Sequence, residues 1–307
     1  MIRRRLLVLL PERALAPLDP LRAAWAEAGI EADLRVWTGE PPAVAATVAE
    51  HPSRADAALL IGPPRRAPST MASGPFALDR DGRRVPVAWL PFRGEAELET
   101  FARGAARVHR RAGSKPAVAL LAQWMPHYLR VVDRMRAILR SAGAGVFRWS
   151  GDALTRDDML DALSSGLGLA LYVGHGRPIG WVGYHGVRAH HFAGRAEPLG
   201  AVVSLCCRTA SRKRTGLSYA EALPLLGAAG ASFGAVEDTR HADNTRWAVG
   251  MCRALVEGVE TLGDLVLRAA PSSPAAIAGY RILGDPLIPV RSAAEALERA
   301  LTVRTYE

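Results

Sequence analysis

The stretch Leu169–Trp181, "LALYVGHGRPIGW", is an apolar run that stops abruptly at Gly174-His175-Gly176. A short apolar run bounded by glycine reads as a strand buried on both faces, as in a parallel sheet covered by helices. A second stretch, Gly200–Ala210, "GAVVSLCCRTA", repeats the pattern and ends in cysteine. In open α/β sheets, chemistry gathers where loops leave the carboxyl ends of strands. Glycines on both sides of His175 let the backbone turn sharply and let a ligand approach. If the two strands are neighbours, an imidazole and a thiol reach one rim of the sheet.

Further apolar runs mark candidate strands at Leu6–Leu10, Ala57–Ile61, Val87–Leu90, Ala117–Leu121, Val202–Cys206 and Ala231–Val236. Helical patterns lie between them. Leu21–Ala28 follows the first run, and Glu95–Arg110 places Leu98, Phe101 and Ala105 on one face. Leu129, Val132, Met135 and Leu139 mark a further amphipathic helix. Thr155 and Asp158 form a capping-box pattern opening a helix over Asp157–Ser165. Strands alternating with helices predict an α/β fold, a mainly parallel sheet flanked by helices. The polar, breaker-rich "RRAGSKP" (Arg110–Pro116) divides it into a smaller N-terminal α/β subdomain, residues 1–112, and a second subdomain, 113–307.

The 307 residues are 49% hydrophobic and 22% charged, a globular balance that excludes a disordered chain. The formal charge of +9 is spread over "MIRRR", "RRAP", "RVHRRAG" and "SRKRTG". With no zinc-finger spacing and no aromatic RNA-binding motif, this surplus reads as a solvated face, and no nucleic-acid partner is expected. Three cysteines, two of them adjacent, imply no disulfide framework and fit a reducing compartment. The opening "MIRRRLLVLLPERA" mimics a signal peptide, but its apolar core, Leu6–Leu10, is too short before Pro11 and reads as a first strand. No apolar stretch is long enough to span a bilayer, so no membrane partner and a cytoplasmic location are expected.

A thiol is a modest nucleophile at neutral pH. A nearby imidazole can take its proton, which makes attack on a carbonyl feasible, and backbone N–H groups at the same strand ends can hold the oxyanion.

"YVGHGRPIGW" and "VVSLCCRTA" resemble the His and Cys motifs of gingipain-type cysteine peptidases, in the clan that includes caspases, separase and CHAT domains. "EALPLLGAAGASFGAVED" (Glu221–Asp238) resembles the helix and glycine-rich strand after the nucleophile, and "YRILGDPLIPV" (Tyr280–Val290) the closing Gly-Asp-Pro segment. "ADAALLIG" and "VPVAWLPFRGEAELETFARGAARVHRRA" resemble the non-catalytic first subdomain, so the likeness runs from about Ala55 to Val290. It implies a caspase/gingipain-like fold and a cysteine endopeptidase acting on a protein or peptide. Cys207 would be the nucleophile, His175 the general acid–base, and the backbone N–H groups of Gly176 and Cys207 the oxyanion hole. It implies no cofactor. Caspase relatives are often controlled by self-cleavage, calcium or a partner, so an activating protein partner is a further implication.

The sequence departs from the family in two places. "AWLPFRG" lacks the usual Gly-Arg pair of the first subdomain. Where Arg-specific gingipains carry an acid, "LLAQWMP" has Gln123 and Trp124, which speaks against basic-residue specificity. Arg177 and Arg208 flank the two proposed catalytic residues and could attract an acidic side chain. Trp181 stands at the family's tryptophan spacing, as a pocket wall or as core. Asp238 lies in "EDTRHADN" with Glu237, His241 and Asp243, a loop expected at the substrate pocket or in solvent.

Asp152, Asp157 and Asp158 read as capping and solvated acids rather than partners of His175. His175, His185, His190 and His191 form a histidine-rich patch, but no metal is expected there, since the adjacent His190 and His191, read as strand residues, face opposite ways. Cys206 is expected to point away from the active face and Cys252 into a helix-lined core. A catalytically inactive caspase-like scaffold binding a protein partner is the alternative reading; intact His175 and Cys207 favour the enzyme.

Overall fold

The computed structural model describes residues 3–63, 74–111, 113–195 and 197–302. The basic segment "RRAP", the first two residues of "MIRRR" and residue 112 of the expected boundary lie outside the described residues. The first part of the chain forms β1 (Arg4–Pro11), α1 (Asp19–Glu27), β2 (Ile30–Trp37), α2 (Val44–Glu50), β3 (Ala57–Gly62), β4 (Phe76–Leu78), β5 (Arg84–Pro91) and α3 (Glu95–Arg110). Next come β6 (Ala117–Ala122), α4 (Pro126–Ser141), β7 (Gly145–Arg148), α5 (Arg156–Leu163) and β8 (Leu169–Val173). Three two-residue strands follow, β9 (Gly176–Arg177), β10 (Gly180–Trp181) and β11 (Val187–Arg188). The chain continues with β12 (Leu199–Leu205), α6 (Tyr219–Leu225), β13 (Ala229–Ala235), α7 (His241–Val256), α8 (Leu262–Ala269), α9 (Pro274–Ala278), β14 (Tyr280–Gly284) and α10 (Ala294–Leu301).

All seven apolar runs form strands. They are covered on both faces, so nearly every residue is buried, as in β6, "AVALLA". Side chains alternate between the faces. Val118, Leu120 and Ala122 join the core that also holds residues of α1, α3, α4, α7 and α8, whereas Ala117, Ala119 and Leu121 join the core under α5. The expected helices form, with Thr155 capping α5 by accepting the Asp158 N–H.

The strand order is β2-β1-β3-β5-β14-β13-β12-β8-β6-β7, with β4 paired to β5. Apart from the short β4, which is antiparallel to β5, pairing is parallel on each side of one seam, where β13 and β14 run antiparallel. The two parallel halves therefore point in opposite directions. The carboxyl ends of β6, β8, β12 and β13 share one rim, and those of β1, β3 and β5 share the other. The last strand, β14, pairs with β5 and carries the sheet across the connection between α3 and β6, where the division into subdomains is expected. A buried polar cluster ties the same halves together. Asp285, fully buried, accepts from Trp25 Nε1 of α1 at 2.7 Å, lies 2.8 Å from His109 Nε2 of α3, and accepts from the Leu287 N–H at 2.8 Å. No helix among the described residues is long and apolar enough to cross a membrane.

Candidate active site

Strands β8 and β12 are direct parallel neighbours, paired from Ala201↔Leu169 to Leu205↔Val173. His175 and Cys207 each lie two residues past the last of these pairs. Equal steps along adjacent strands, about 4.8 Å apart, bring the two residues to one rim. His175 is exposed and Cys207 half-buried. The glycines are demanded by close packing. A Cβ on Gly174 would overlap the Tyr172 hydroxyl; one on Gly176 would overlap the Cys207 carbonyl oxygen and stand 2.6 Å from Cys206 Sγ. The loops after the two strands are thus in contact.

The backbone of His175 is fixed on both sides. Its N–H donates to Gln123 Oε1 at 2.9 Å, and its carbonyl accepts from the Val182 N–H at 3.0 Å and the Tyr172 hydroxyl at 3.1 Å. Its ring meets Tyr128 edge-on, centroids 5.5 Å apart, with the Tyr128 hydroxyl 3.4 Å from both ring nitrogens. Tyr128 lies in the first turn of α4, which packs beside α7; both helices begin at this rim. His127 and His241 of those first turns are 5.2 Å apart. Partial desolvation, then the neighbouring His241, His175 and Arg130, hold His127 below the ordinary imidazole range. Burial, then Cys207 and Cys206, raise Tyr128, so its hydroxyl keeps its proton.

Cys207 faces the end of a third strand. The N–H of Thr239, in the loop after β13, lies 3.4 Å from Cys207 Sγ, and Thr239 Oγ1 is 3.6 Å from it. Asn244 holds Thr239 by donating from Nδ2 to Oγ1 at 2.9 Å, and its own Oδ1 accepts from the Tyr280 hydroxyl. Asn244 and Tyr280 are buried, so this chain is a fixed support rather than a solvated loop. The Arg208 N–H donates to the Glu237 carbonyl at 3.1 Å and joins the two loops again. The Thr239 N–H offers Cys207 Sγ a donor and the Thr239 carbonyl, 3.8 Å away, an acceptor, while the imidazole of His175 ends the neighbouring strand; a thiol and an imidazole at one rim are the components of nucleophilic catalysis.

The other thiols differ. Cys206 points to the opposite face of β12, into the core with Tyr172, Trp181 and Tyr219, and burial pushes its thiol far up. Cys252 is buried in α7 and pushed up to about 12.

Trp181 does not wall a pocket. It is fully buried, stacks on Tyr172 at 4.4 Å and donates from Nε1 to Ser204 Oγ at 2.8 Å, because its place in β10 turns it down onto β8 and β12. Arg177 and Asp238 are exposed at the rim, and Arg208, at φ 59°, forms an ion pair with Asp238. Asp152 pairs with Arg148, Asp158 belongs to the α5 cap, and Asp157 lies 3.5 Å from Arg156; none of the three bonds to His175 among the described residues. His190 and His191 lie on a 3-10 turn, not a strand. Among the described residues no group of three His, Cys, Asp or Glu is arranged to hold a metal.

Tyr128, Thr239 and Asn244 carry no motif of their own. Their only sequence signal is position: Tyr128 and Asn244 lie in the first turns of the helices that follow β6 and β13, and Thr239 in the loop after β13, both strands running parallel to β8 and β12.

A sequence model of peptidase family C25 matches residues 131–291. No curated protein is significantly similar in sequence. Among solved structures, the Arg-specific cysteine proteinase gingipain R superposes with a TM-score of 0.74 at 16% identity, over 95% of this chain and 79% of that one. The complex of Porphyromonas gingivalis RgpB pro- and mature domains gives 0.72 at 16% identity, over 94% and 80%. The Saccharomyces cerevisiae separase–securin complex gives 0.51 at 13% identity, over 76% of this chain and 15% of that one. At these identities the likeness is one of fold.

Proposed function

The chain belongs to peptidase family C25, and on that premise we propose that it is a cysteine endopeptidase in which Cys207 attacks the peptide carbonyl and His175 moves the proton. The observation that carries this reading is the shared register of β8 and β12, which gives His175 and Cys207 equal steps beyond neighbouring strand ends.

In the first half-reaction His175 takes the Cys207 thiol proton and sulfur attacks the carbonyl carbon. The Thr239 N–H, 3.4 Å from Sγ, can donate to the sulfur as it gives up its proton. The backbone N–H groups of Gly176 and Cys207 receive the oxyanion; the contact between Gly176 and the Cys207 carbonyl supports their closeness. The protonated His175 then gives its proton to the leaving amine, which departs and leaves an acyl-enzyme. In the second half-reaction His175 takes a proton from water, the resulting hydroxide attacks the thioester, and the thiol leaves with the proton restored. Gln123 and Tyr128 act as positioning residues for His175 through its backbone N–H and its ring.

The relative described as Arg-specific does not lend its specificity to this chain, since Gln123 and Trp124 stand where the family resemblance expects an acid. Three free thiols support a reducing, cytoplasmic setting. Cleavage of a diverse peptide library tests the reading. The wild type and Cys206→Ala cut peptides, while Cys207→Ala and His175→Ala, folded as judged by circular dichroism, do not. Cleavage by Cys207→Ala would remove it.

A further inference from the structure

Beside His175 and Cys207 the rim opens into a cavity of about 530 Å3 whose lining includes Arg177, Ile179, Arg208, Lys213, Arg214 and Asp238. Arg177 and Arg208 follow His175 and Cys207 by two residues and one, so the mouth of the cavity adjoins both. Four cations and one carboxylate face it. Arg208 is paired with Asp238; Arg177, Lys213 and Arg214 have no carboxylate partner among the described residues. Like charges gathered in a concave surface repel each other and create a potential that draws in an anion.

The walls are held in place. Glu221, only 4% exposed, accepts from Arg212 Nε at 2.9 Å and from the Ser218 N–H at 2.8 Å, which ties the turn carrying Lys213 and Arg214 to the start of α6. The Pro178 carbonyl accepts the Tyr219 N–H at 2.7 Å and ties the segment carrying Arg177 and Ile179 to the same helix. Both cationic walls thus rest on one buried element, so the cavity is formed before a ligand arrives. Ile179, 44% exposed, offers apolar surface for an aliphatic stem below a charged head.

We propose that this cavity receives the side chain of the substrate residue whose carbonyl is attacked, and that the enzyme therefore cuts after aspartate or glutamate. The proposal rests on the peptidase reading of Cys207 and His175. A basic side chain would add positive charge to a cavity that already carries an excess.

Four fluorogenic peptides, identical except for Asp, Glu, Arg or Leu before the cleaved bond, test it. For the wild type, kcat/KM for the acidic peptides exceeds that for the Arg peptide by roughly tenfold or more, and the difference shrinks at high salt. The double substitution Arg177→Glu and Lys213→Glu reverses the order of the Asp and Arg peptides. Equal or faster cleavage of the Arg or Leu peptide by the wild type, or an order unchanged by the charge reversal, would overturn the proposal. Iodoacetamide labelling separates the two possible failures. If Cys207 labels faster in the wild type than in His175→Ala while acidic peptides gain nothing, the cavity proposal fails alone. If no peptide is cut and His175→Ala labels Cys207 as fast as the wild type does, the peptidase reading fails and takes this proposal with it.

Discussion

Gly176 packs against Cys207 so closely that a side chain at position 176 would run into the Cys207 carbonyl oxygen and stand 2.6 Å from Cys206 Sγ. That contact joins the loop after β8 to the loop after β12. Gly176→Ala should push them apart, lowering stability by about 1–3 kcal/mol and peptide cleavage by a larger factor than stability alone explains. Chemical denaturation and cleavage assays on the same preparation check both effects.

Asn244 links Tyr280 to Thr239, and Thr239 presents its N–H to Cys207. Asn244→Ala leaves the Tyr280 hydroxyl buried without its acceptor and releases Thr239. The expected loss is about 1–3 kcal/mol of stability and roughly ten- to hundredfold in kcat, with KM changed less. A variant with unchanged kcat would show that Thr239 holds its position unaided.

The three thiols should separate in reactivity. Burial disfavours the thiolate, so Cys252, pushed up to about 12, and Cys206, pushed further, stay protonated through pH 8. Half-buried Cys207 is reachable. Mass mapping after brief alkylation of the native protein should find label on Cys207, and on all three cysteines only after unfolding. Label on Cys206 in the native state would mean that its side chain reaches the surface.

Asp285 is fully buried, with Trp25, His109 and the Leu287 N–H around its carboxylate. Asp285→Ala strips the shared acceptor from two helices of the first half of the chain. It should cost about 3–5 kcal/mol, read as a shift of the denaturant midpoint. Because the cluster lies away from the catalytic rim, kcat of the folded fraction should change little.

The strands that the sequence made visible are those buried on both faces. Leu169–Val173 is apolar throughout because helices cover it above and below. β2, "IEADLRVW", and β7, "GVFR", lie at the two edges of the sheet, carry half-exposed side chains, and give no such run. β14 was legible as a closing Gly-Asp-Pro segment but not as the strand that joins the halves. The antiparallel seam was hidden for a plain reason: hydrophobicity reports burial, not strand direction. His175 and Cys207 were legible because each ends an apolar run. Tyr128, Thr239 and Asn244 act through spatial neighbours far away in sequence, which periodicity does not encode. Trp181 shows the converse: its spacing after His175 leaves pocket wall and core equally open, and its place in β10 puts the ring in the core, where it donates to Ser204.

The most direct test of the central claim is mass spectrometry after brief incubation with a peptidyl fluoromethyl ketone, which alkylates an unassisted thiol slowly and a thiol paired with an active-site imidazole much faster. One adduct per chain, mapped to Cys207 and lost in His175→Ala, is the predicted result. An adduct on another cysteine, or one formed equally well without His175, would contradict the pairing of these two residues.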